Sequence, residues 1–130
     1  ASVCAVFYEL IGNGTLKNIY PLISGYKNQY DLYASVQVED DEERHLIFEF
    51  KSRLQNLLPD LRENIKYTND IDCIVCYNVT NNDIEKFEDD GYIVEEYDGI
   101  DQEFPNATHK VTIQGAKEYW VIDLFKYLNK

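Results

Sequence analysis

His45-Leu46-Ile47-Phe48-Glu49-Phe50-Lys51, followed after one helical segment by Ile71-Asp72-Cys73-Ile74-Val75-Cys76, decides the fold. In the first stretch Leu46, Phe48 and Phe50 share one side of a period-two pattern, and His45, Ile47, Glu49 and Lys51 share the other. That alternation predicts a strand with one face on a core. The second stretch, continued to Val79, is apolar almost without a break, as a central strand covered on both faces must be. Between them Leu54, Leu57, Leu58, Leu61 and Ile65 recur at helical spacing, so Ser52 to Lys66 is predicted as a helix that Pro59 splits or kinks. Strand, helix and buried strand form a βαβ crossover, right-handed by the usual chirality.

Upstream, Tyr30 to Val38 also alternates. Leu32, Ala34, Val36 and Val38 fall on one face, and Asp31, Tyr33, Ser35 and Gln37 on the other. With the acidic loop Glu39 to Glu43 and the strand from His45 it reads as an antiparallel hairpin. Thr15 to Gln29 reads as loop, broken by Pro21 and Gly25. A first helix is predicted from Ser2 to Ile11, with Val3, Val6, Phe7, Leu10 and Ile11 as its stripe and Ser2 as its cap. Downstream, the pattern predicts a short helix from Asn82 to Asp89, strands over Tyr92–Tyr97 and His109–Gln114, and a closing helix over Lys117–Asn129. The expected fold is a single α/β domain spanning all 130 residues, with a mixed sheet flanked by helices.

The net charge of −12 repels free polyanions, because nucleic-acid affinity comes mainly from Lys and Arg neutralising phosphates. It argues against a stand-alone nucleic-acid binder, though not against a catalytic module whose substrate other domains grip. No apolar run approaches the ~18 residues of a membrane span, and no signal peptide is visible at the start. Three cysteines argue for a reducing compartment, so the expected location is cytoplasmic or nuclear. The absence of any Met fits a piece of a larger protein.

The chemistry sits on the hairpin. Glu49 and Lys51 are two apart on one strand and emerge on the same face. If the apolar faces coincide, Asp31 falls opposite or diagonal to Glu49, with side-chain origins on the order of 5–8 Å apart. Two such carboxylates can share one Mg²⁺, a hard cation that keeps several waters. The metal would polarise a phosphate and lower the pKa of a bound water. Lys51 would orient that water or stabilise developing negative charge.

The order helix, Asp31 strand, Glu49-Phe50-Lys51 strand, helix, buried strand resembles the PD-(D/E)xK nuclease superfamily, whose members share the restriction-endonuclease-like fold. The resemblance runs from the opening helix through the buried strand. It implies Asp31, Glu49 and Lys51 as the catalytic set, Mg²⁺ or Mn²⁺ as cofactor, and Glu9 on the first helix as an added acidic metal ligand. It also implies DNA as substrate, held with help from other domains of a larger assembly. Tyr30 stands where the family label has Pro. The alternative is an inactive, nuclease-like domain retained for protein–protein interaction or homodimerisation. Eleven tyrosines favour that use, since they bury area and keep a polar tip.

Other motifs are bland. Cys73 and Cys76 are three apart on a strand, so their sulfurs face opposite sides and cannot share an ion. His45 and His109 read as separate surface residues.

Overall fold

Ser2 is extended, and its side chain accepts the Ala5 N–H at 3.1 Å, so the first helix, α1, begins at Val3 and ends at Gly12. Val3, Phe7 and Leu10 are its buried stripe. The computed structural model describes residues 2–27, 30–38, 42–63, 69–98, 104, 106–112 and 117–128.

The segment expected to be loop contains strand β1, Ile19–Tyr26. Its breakers are tolerated because β1 is the edge of the sheet, where Pro21 leaves no inner ladder incomplete. The register slips between Pro21 and Ile23, and Gly25 takes a φ of 63° that suits glycine. Next come β2, Tyr30–Gln37, and β3, Glu43–Phe50, paired antiparallel from Leu32–Phe48 to Gln37–Glu43. This is the predicted hairpin. Residues 39–41 of its acidic loop lie outside the described residues.

A 3-10 turn, Leu54–Leu57, leads into α2, Leu58–Glu63. Pro59 sits in the first turn of α2, where its missing N–H costs nothing. The predicted end of this helix, residues 64–66, lies outside the described residues. Strand β4, Cys73–Cys76, then runs parallel to β3. Thr80 caps α3, Asn81–Asp89, through a reciprocal capping box with Asp83. Strands β5, Ile93–Glu96, and β6, His109–Thr112, are antiparallel.

The largest departure lies at the end of the chain. Tyr119–Asp123 is strand β7, and only Phe125–Leu128 is helical, as α4. Tyr119 and Val121 enter one core while Trp120 and Ile122 enter or line the other, so an all-round apolar run mimicked a helix stripe.

The fold is mixed α/β, with a seven-stranded sheet ordered β1-β2-β3-β4-β7-β6-β5 and flanked by helices. Its centre, β3-β4-β7, is parallel and its flanks are antiparallel. On one face α1 packs Phe7 against Phe48 and Phe50. On the other, Leu54, Leu57, Leu58, Leu61 and Phe87 cover Ile74, Cys76 and Val121. Cys73 and Cys76 fall in opposite cores, as their spacing predicts.

Candidate functional site

The β2–β3 ladder brings Asp31 to the position across from Glu49, one step beyond the Leu32–Phe48 pair. At that point side chains continue the ladder. The Asp31 N–H donates to Glu49 Oε1 at 3.0 Å, and the Phe50 N–H donates to Asp31 Oδ2 at 2.8 Å. Both carboxylates therefore converge on one short segment at the carboxyl end of β3.

They approach it from two sides. Tyr30, only 4% exposed, belongs to the core under α2 and donates its hydroxyl to Asp70 Oδ2 at 2.5 Å. Burial and the Asp70 carboxylate push its phenol pKa up to about 12. Seating Tyr30 there breaks the alternation of β2 and turns Asp31 toward α1. Asp31 lines a cavity of about 670 Å³ with Cys4, Tyr8 and Phe50. Burial first, then the Asp31 charge, raises the Cys4 thiol pKa, and Tyr8 is raised by burial, with smaller contributions from Cys4 and Asp31. Glu49 alternates with Phe48 and Phe50, which pack on the α1 side, so it emerges on the α2 side and is 4% exposed. The sequence expectation that Asp31 shares the polar face of Glu49 holds for position but not for side-chain direction.

Lys51 follows Glu49 onto the α2 side. Its Nζ lies 2.7 Å from Asp60 Oδ2 of α2, a partly buried ion pair. Asp60 is the neighbour that sequence reasoning missed. Its contact depends on how α2 packs, and no spacing along the chain encodes that. Glu9 is exposed on α1 and does not line the Asp31 cavity, so it is not joined to the other three.

Carboxylate oxygen is the donor type a hard divalent cation takes, but these two carboxylates are directed to opposite faces of the sheet. Among the described residues no group of three or more His, Cys, Asp or Glu side chains is placed to hold a metal ion. Joint binding would require the Asp31 and Glu49 side chains to turn toward one face of the sheet. The lining of the Asp31 cavity contains no Lys or Arg.

His109 corrects a sequence expectation. It is buried rather than on the surface, with Nδ1 2.8 Å from Thr108 Oγ1. His45 is exposed, as expected, and its ring contacts Tyr33 and Glu43. Among the described residues no helix is long and apolar enough to cross a membrane.

No family model, curated protein or solved structure matches the chain.

Proposed function

We propose that the chain is a nuclease-like domain of the restriction-endonuclease-like type, hydrolysing nucleic-acid phosphodiesters with a divalent cation, within a larger assembly. One observation carries this reading. The Asp31 backbone N–H donates to Glu49 Oε1 at 3.0 Å across β2 and β3, which brings the two residues together at one strand end though their carboxylates face opposite ways, with Lys51 two residues on. The helix–strand–strand–strand–helix–strand order supports it, with β4 parallel to β3 through the α2 crossover.

Asp31 and Glu49 would hold Mg²⁺ or Mn²⁺, which supplies a Lewis acid and a bound water of lowered pKa. Lys51 would carry positive charge to the phosphate once released from Asp60. Asp60 acts as a positioning residue that restrains Lys51 in the resting fold.

A specific observation favours a second reading, an interaction or dimerisation module without catalysis. All three motif side chains already serve the fold: Glu49 binds the Asp31 N–H, Asp31 the Phe50 N–H, and Lys51 the Asp60 carboxylate.

Cleavage of single- and double-stranded DNA and RNA in Mg²⁺ or Mn²⁺ separates the two. The nuclease reading expects slow cleavage that falls at least about 100-fold in Glu49→Gln, which preserves the shape of the buried side chain. Equal activity in wild type and Glu49→Gln, or none in either, rejects the nuclease reading.

A further inference from the structure

A second cavity lies far from the β2–β3 motif in sequence, at the carboxyl ends of the parallel strands β4 and β7, where Cys76 pairs with Asp123. Open α/β sheets place ligands in such crevices. The cavity holds about 470 Å³, within the range of small-molecule pockets. His109, Asp123, Glu96 and Lys126 contribute its polar wall, and Ile84 and Phe125 part of its apolar wall.

The hydrogen bonds fix which atoms face a ligand. Thr108 Oγ1 donates its single proton to the Val121 carbonyl at 3.2 Å and accepts the Asp123 N–H at 2.9 Å. With that proton assigned to the Val121 carbonyl, the tautomer that satisfies the 2.8 Å contact carries its hydrogen on His109 Nδ1. In that tautomer Nε2 keeps a bare lone pair. Every fully buried side-chain nitrogen or oxygen among the described residues has a partner. Nε2 has no described protein partner, yet His109 is 4% exposed and lines the cavity, so Nε2 opens into it.

Asp123, 2% exposed, is held just as firmly. Its Oδ2 accepts the Val79 N–H at 3.0 Å and its Oδ1 the Phe125 N–H at 2.9 Å. Each oxygen keeps a further acceptor site. The floor is thus rich in acceptors. Lys126 is drawn to Glu96, 3.8 Å away at the exposed rim.

We propose that this cavity binds a small ligand whose head is a planar N–H donor of the amidine or guanidine type. Its paired N–H groups match a carboxylate that can accept two parallel bonds, and an adjacent imidazole accepts a third. The apolar wall takes the body of the ligand. Asp123 and Glu96 repel anions.

Burial lowers the His109 pKa, Lys126 lowers it further, and Asp123 and Glu96 oppose both. The imidazole is therefore neutral at pH 7. Protonation, displaced below the ordinary histidine range, turns Nε2 into a donor and adds a positive charge, so affinity for a cation falls as pH falls.

The test uses benzamidine, with benzoate as the charge-reversed control, while the His109 ring resonances are followed by NMR. Benzamidine is expected to shift them saturably at pH 7.5, and to bind about tenfold more weakly once the same resonances show His109 protonated at lower pH. Benzoate is expected to leave them unmoved. Asp123→Asn should weaken binding about tenfold, and Ile84→Trp, which fills the cavity without touching an acceptor, should abolish it. An unmoved His109, equal binding of benzoate, or full affinity in a folded Ile84→Trp protein would overturn the proposal.

Discussion

Tyr30 sets the geometry of the residue beside it. Its buried hydroxyl, tied to Asp70, holds the start of β2 against the α2-side core and aims Asp31 the other way. Tyr30→Phe removes one hydrogen bond to an exposed carboxylate and is expected to cost about 1 kcal/mol, read from urea unfolding midpoints. An unchanged midpoint would mean that ring packing alone fixes this strand end. At this scale the sequence carried the register, because period-two alternation on both strands forces Asp31 toward Glu49. It did not carry the side-chain directions. Those follow from Tyr30 choosing one core and Lys51 finding Asp60, contacts between groups well separated along the chain. His109 was equally hidden, since its burial depends on neighbours distant in sequence, among them Val121 across the β6–β7 pair.

Among the elements, β2, β3 and the crossover to β4 were legible from periodicity. β1 and β7 were not. Pro21 and Gly25 signal a loop, yet an edge strand has one open side and tolerates both. β7 is buried on both faces and so carries no alternation to read. The edge has a further consequence. Tyr20, Leu22 and Ile23 of β1 are about half exposed on a strand with unpaired backbone groups, an arrangement open to pairing with another chain. Ile23→Lys is expected to leave stability within about 0.5 kcal/mol and to lower any self-association seen by sedimentation at high concentration. Association that persists unchanged would place the contact elsewhere.

The molecule as a whole carries a net charge of −12, and the Asp31 cavity has no cationic lining. The isolated chain is therefore expected to hold duplex DNA no better than about 10⁻⁴ M at physiological salt, the weak end of non-specific binding. The nuclease reading thus assigns substrate capture to other domains and keeps for this one the placement of two carboxylates and a lysine. That placement rests on whether Asp31 and Glu49 act on one ion. Thermal unfolding under a Mg²⁺ or Mn²⁺ titration measures this without any substrate. Wild type is expected to gain about 2–3 kcal/mol at a hundredfold excess of metal over its Kd. Asp31→Ala and Glu49→Ala should each abolish the gain. A wild-type protein indifferent to metal, or variants that respond as wild type does, would contradict the account.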